Sequence, residues 1–185
     1  MHDQATTGPS GFNQLVEENR HALLQLADVM AGLSPEHYQR HFGAQGQHAT
    51  GKHCRHIIDH YEAFLKATEE TGRINYEHRQ REEVLETDPQ AAVERLSSIC
   101  GGLEKLSETS ERLPLELDHW TGMKTVANPS SIGRELVFLS SHTVHHMAII
   151  SLLLEQMGIV PPREFGVNPS TLRHWQRQKD AVEAS

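Results

Sequence analysis

The stretch Leu136 to Leu154, LVFLSSHTVHHMAIISLLL, constrains this chain more than any other. Residues three and four apart stack on one side of a helix, so Glu135, Phe138, Leu139, His142, His146, Ile149, Ile150 and Leu153 share a face. Two histidines are therefore expected inside an apolar stripe. Residues four apart lie only ~6 Å from each other along a helix axis, and two such imidazoles can converge on one atom. A single buried histidine is ordinarily satisfied by a hydrogen bond to a neighbour. A buried pair needs two partners, and one divalent cation that takes a lone pair from each supplies both. The pattern predicts a long core helix that carries half of a metal site.

The rest of the chain reads as helices of comparable length. Phe12, Leu15, Val16, Leu23, Leu26 and Met30 follow the helical period between Pro9-Ser10-Gly11 and Gly32, which predicts a first helix over about 11–31. Ser34-Pro35-Glu36 predicts a short helical turn, and Gly43 to Gly46 an exposed loop. A second helix is expected from Thr50 to Gly72, on Cys54, Ile57, Ile58, Tyr61, Phe64 and Leu65. Residues 73–88, RINYEHRQREEVLETD, read as a long solvated connection in which Tyr76, His78, Arg79 and Arg81 offer donors to an anionic ligand. Asp88-Pro89 opens a third helix, with Ala92, Val93, Leu96, Ile99, Leu103 and Leu106 on one face, a weak point at Gly101-Gly102 and an end near Ser110. Leu113 to Val126 reads as extended or as a short strand, and Asn128-Pro129-Ser130-Ser131 as punctuation before the fourth helix, which runs to Gly158. Asn168-Pro169-Ser170 starts a last short helix through Trp175. Four long amphipathic helices with one dominant face each imply an all-α four-helix bundle. One domain is expected over 1–185, with the bundle core at about 11–158 and an extension at 159–185.

Composition narrows the function classes. A net charge of −8 argues against a nucleic-acid partner, whose phosphates are bound mostly by Lys and Arg. The longest apolar run, Met147 to Leu154, is interrupted by Ser151 and falls short of the ~20 residues of a membrane span. The start, MHDQATTGPSGF, has neither a basic nor an apolar leader region, so a cytoplasmic protein without a membrane partner is expected. Cys54 and Cys100 are too few for a disulfide framework and should be reduced. Cys54 lies close to His53 and His56, where a thiolate nucleophile is conceivable, but a small residue of the helix core is the expectation. No H-E-x-x-H, paired C-x-x-C, P-loop, G-x-G-x-x-G or G-x-S-x-G occurs. The 14 histidines are spread along the chain rather than bunched in a tail, so several should have partners.

Helix two offers His53, His56 and His60 as further ligands. The helical wheel leaves His53 and His60 at the edge of the apolar stripe and His56 further round. The run Ala49-Thr50-Gly51-Lys52-His53-Cys54-Arg55-His56-Ile57-Ile58-Asp59 resembles the helix-two signature of the DinB/YfiT-like bacterial family of metal-binding four-helix bundles: a small or hydroxyl residue, then Gly, and further on a His followed by two apolar residues and an acid. His142-Thr143-Val144-His145-His146 resembles the same family's H-x-x-x-H. The resemblance covers helix order and spacing from about residue 10 to 158, and it implies a metal site of His56, His142 and His146; the wheel, on which His56 is the weakest of the three, keeps His60 as the alternative on helix two. Members often carry Arg-Gly-Gln after the last histidine, where this chain has Met147-Ala148-Ile149, so substrate contacts from those positions do not carry over. Glu135 and Asp59 are candidates to accept an imidazole N–H.

Three neutral imidazoles leave a coordination position open, which is the catalytic rather than the structural arrangement. The resemblance implies a metal-dependent enzyme of the thiol-transferase or isomerase type, acting on a small-molecule substrate with a low-molecular-weight thiol. Zinc, nickel and iron all suit imidazole. The alternative is a metal-dependent binding or stress-response module without turnover. A homodimer is compatible with either.

Overall fold

The computed structural model describes residues 10–78, 81–106, 110–111 and 113–183. Ser10 starts the first helix, α1 (Gly11–Ala31), by accepting a hydrogen bond from the Asn13 amide, and every third or fourth residue from Phe12 to Met30 is buried. After a short α2 (Pro35–Gln39), α3 (Thr50–Lys66) continues into a π-helical turn, Ala67–Thr71, and stops at Gly72, whose left-handed φ of 67° closes the helix. A brief α4 (Val84–Thr87) precedes α5 (Pro89–Glu104), which Asp88 caps through the Gln90 amide and whose first residue is proline. α5 ends at Glu104 rather than near Ser110, directly after the glycine pair that weakens it. Ser131 caps α6 (Ile132–Gln156), and α7 (Pro169–Glu183) extends well past Trp175.

The protein is mostly helical, and its core sits where α1, α3, α5 and α6 meet, each packed on two of the others. Side-chain pairings give the directions. His53 meets His146 while His60 meets His142, so α3 and α6 are antiparallel. Glu62 pairs with Arg95 and Leu65 abuts Gly102, so α3 and α5 run the same way. Two neighbouring helices with the same direction cannot be joined by a tight turn, and the long connection at 67–88 is the consequence.

A small sheet is the feature that an all-α reading omits. β1 (Arg73–Ile74) lies parallel to β2 (Pro114–Trp120), and β2 pairs antiparallel with β3 (Thr125–Ser131) through a turn at Gly122, φ 87°. The extended reading of 113–126 holds for β2. Asn128 to Ser131 form the end of β3 rather than a punctuating loop, because β3 is an edge strand and an edge tolerates the missing donor of Pro129.

On α6 the buried side is rotated from the expected stripe. Four of the expected residues, Glu135, Leu139, Ile150 and Leu153, are buried, but Phe138, His142, His146 and Ile149 are half-buried at the border, and Ile132, Leu136, Ser140, Thr143, Met147 and Leu154 complete the buried side. Ser140 and Thr143 belong inside because the centre of the molecule is partly polar: Thr143 donates to the Tyr61 hydroxyl at 3.2 Å, Tyr61 donates to Asn19 Oδ1 at 2.7 Å, and Asn19 Nδ2 donates to the carbonyls of Leu15 and Leu136. By length and composition α6 is the one described helix apolar enough to cross a membrane; here 39% of its most apolar window is buried, on the side packed against α1 and α3, while Val137 and Leu152 are exposed.

Candidate metal centre

The site begins with a glycine. A Cβ on Gly51 would stand 2.1 Å from the Glu86 carbonyl oxygen and 2.7 Å from Tyr38 Cε1, so only glycine lets the first turn of α3 press against α4 and α2. That contact sets the depth of α3, and Cys54, Ile57, Ile58, Tyr61 and Phe64 then anchor its inner face. His53, His56 and His60 follow on the side turned to α6.

From α6, His142 brings its Nε2 to 3.1 Å from Nε2 of His56. Two nitrogens on one ion, each ~2.1 Å from it, stand about 3.0–3.4 Å apart, so this spacing fits a shared cation as well as it fits an N–H···N hydrogen bond. His60 stacks on His142 with ring centres 4.1 Å apart, and one nitrogen each from His56, His60 and His142 falls within 4.8 Å of the others. His60 Nδ1 is 2.8 Å from the His56 carbonyl, and a carbonyl only accepts. The proton of a neutral His60 is therefore on Nδ1, and its lone pair is on Nε2. His146 lies 4.5 Å ring to ring from both His56 and His142, with its Nδ1 3.0 Å from His53 Nδ1. Burial, reinforced by His48 and His145, pushes His53 down to about 4 and keeps it neutral near pH 7.

These donors suit a divalent ion: imidazoles from two rigid helices, partly screened from water. The structure brings together every histidine the sequence offered for the site. His56 and His142 are in contact, His60 joins them, and His146 stands beside them turned towards His53.

Of the two carboxylates offered by the sequence, Glu135 acts at one remove. Glu135 is fully buried, yet it receives hydrogen bonds from Tyr76 at 2.7 Å, from Ser130 and from Arg134 at 2.8 Å. It reaches the histidines through Tyr76, whose ring stacks on His60 with centres 5.0 Å apart. Asp59 is buried against Arg55, which also holds Glu86. Among the described residues of the long connection, Tyr76 is thus the one that touches the site. His78 and Arg81 are exposed, His78 lining a cavity of about 440 Å³ rimmed with acids, and Arg79 lies outside the described residues. Cys54 is fully buried and burial pushes its thiol up to about 12, so it is a core residue and not a nucleophile. Sequence reasoning missed Asn19, for which a polar residue at a helix's core spacing was the available signal, whereas Phe138, placed on the His142 face from the sequence, does stand beside His142 with ring centres 5.5 Å apart.

The fold and site define a helical protein with an interhelical histidine cluster that could hold a metal ion. The chain matches the model of the DinB family over residues 1–179, and it belongs to that family. It is also 36% identical over 108 residues to FK506-binding protein 5 of Rhizopus delemar, a match that covers 57% of this chain and 28% of that protein's length.

Proposed function

We propose that this protein is a divalent-metal-dependent enzyme built on a four-helix bundle. Its ion is held by imidazoles drawn from His56, His142, His146 and His60. His56 and His142 are common to the convergent cluster and to the set the resemblance implies, and the 3.1 Å between their Nε2 atoms is the observation that carries the reading. Zinc, nickel or iron is the ion, and the chain acts in a reducing, cytoplasmic setting on a small-molecule substrate with a low-molecular-weight thiol. A bound ion lowers the pKa of a thiol or water and so supplies a nucleophile at neutral pH. His56 and His142 position it, three imidazoles at a time leave room for substrate, and Tyr76 over His60 limits water on that side.

The test is elemental analysis of purified protein together with thiol consumption in the presence of an electrophile. About one divalent ion per chain and turnover that disappears on chelation support the enzyme. Full occupancy in His56→Ala or His142→Ala overturns it. A second reading follows from the presence of a fourth imidazole: four nitrogens on one zinc close the site, as in a non-catalytic binding module. Metal without turnover across a broad thiol panel decides for that reading.

A further inference from the structure

A second line of histidines leaves the cluster and runs to the surface. His146 Nδ1 is 3.0 Å from His53 Nδ1, and the other nitrogen of His53, Nε2, is 3.4 Å from His48 Nδ1. The His48 and His53 rings are stacked, 5.6 Å apart with 8° between their planes. His48 is exposed on the loop before α3, whereas His53 and His146 are half-buried.

Each contact joins two ring nitrogens, and a neutral imidazole carries a single N–H, so donor and acceptor roles along the chain are linked. Two orders are self-consistent. In the inward order His48 donates to His53 Nε2 and His53 Nδ1–H donates to His146 Nδ1, which leaves the His146 proton on Nε2. In the outward order His146 Nδ1–H donates to His53 Nδ1, and His53 Nε2–H donates to His48 Nδ1. Only the outward order puts the lone pair of His146 on Nε2.

We propose that His53, backed by His48, is the positioning residue for His146: it selects the tautomer whose lone pair is on Nε2 and holds the ring so that His146 serves as a donor to a divalent cation. This rests on the metal reading above. It gives the two ends of the cluster different supports. His60 is held by a backbone carbonyl that no substitution of a neighbouring side chain removes, whereas His146 is held by a side chain that can be replaced.

The experiment combines zinc titration against a competing chelator with imidazole 15N spectra of the zinc-free chain. It compares the native protein, His53→Ala, His53→Gln and His48→Ala, each also in a His60→Ala background where His146 has no substitute. In that background His53→Ala should weaken zinc binding ~10–100-fold, the usual range for loss of a ligand's hydrogen-bonded support. His146 should pass from a single Nδ1–H tautomer to a mixture. His53→Gln, whose amide oxygen can accept from Nδ1–H, should restore both, and His48→Ala should give a smaller loss. Unchanged affinity in His53→Ala overturns the proposal, as does an equal loss in His53→Gln with no change in the His146 tautomer. A loss beyond ~1000-fold with disappearance of a coordinated nitrogen makes His53 a ligand and overturns it too. If His53→Ala does not fold, the native spectrum still decides, because a His146 proton on Nε2 is incompatible with the proposal. The metal reading fails separately, through His142→Ala that keeps its zinc; zinc lost in His142→Ala with His53→Ala silent defeats the positioning role alone.

Discussion

His56 and His142 bring two ring nitrogens to 3.1 Å, and His60 and His146 stand on either side of them, so the proposed ion lies between that pair. His56→Ala and His142→Ala should therefore each lower metal affinity by orders of magnitude. His60→Ala and His146→Ala should each cost less, since either ring can serve as the third donor, and the double variant should match His56→Ala. Isothermal titration with zinc checks this; a single variant at His60 or His146 as damaging as His56→Ala would identify a unique third ligand. Gly51 is the other residue whose identity is dictated atom by atom. In Gly51→Ala the new methyl meets the Glu86 carbonyl, and such overpacking typically costs about 1–3 kcal/mol, which denaturant unfolding will read.

At the scale of elements, the polar link between α1, α3 and α6 sets their relative rotation, because Asn19 satisfies Tyr61 and a carbonyl of α6 at once. Asn19→Ala removes the acceptor of a buried hydroxyl and should destabilise the fold by about 1–3 kcal/mol, measured as a shift in the urea midpoint at constant m-value. It should also weaken metal binding, since α3 and α6 would no longer be held at one angle. A variant that loses metal without losing stability would contradict that coupling. The connection between β1 and α4 acts on the site through Tyr76 alone among its described residues, its hydroxyl on Glu135 and its ring on His60.

For the whole molecule, metal and acid act in opposite directions. An ion that binds only the folded chain stabilises it by mass action, so the melting temperature should climb with zinc concentration. Each ligand must be neutral to bind, and release should follow as pH falls through the imidazole range near ~6.5. The metal-free chain has its own acid sensitivity. His53 takes its proton only at about 4 when folded but near its ordinary value of 6.5 when unfolded, so between those values the unfolded state holds more protons. Its contribution is complete above pH 6.5 and is lost as pH falls towards 4. Thermal melts with and without chelator across this window test both statements; a metal-free melting point that rises on acidification would reverse the sign.

Much of this protein was legible in its residues. Phe12 to Met30 and Cys54 to Phe64 repeat at the helical period, and Ser10, Asp88 and Ser131 are capping residues, so helix existence and starts follow from local chemistry. The convergence of α3 and α6 histidines was legible from their four-residue spacing on α6 and from the family resemblance, because spacing on one helix is a local quantity. Which nitrogen of each ring faces the centre was not. That depends on a carbonyl one turn away for His60 and on a ring ninety-three positions distant for His146, contacts that exist only once two helices pack at a definite rotation. The rotation of α6 was hidden for the same reason. A hydropathy pattern counts apolar residues, whereas burial is decided by α1 and α3 together, and Thr143 goes inside because Tyr61 is there to meet it.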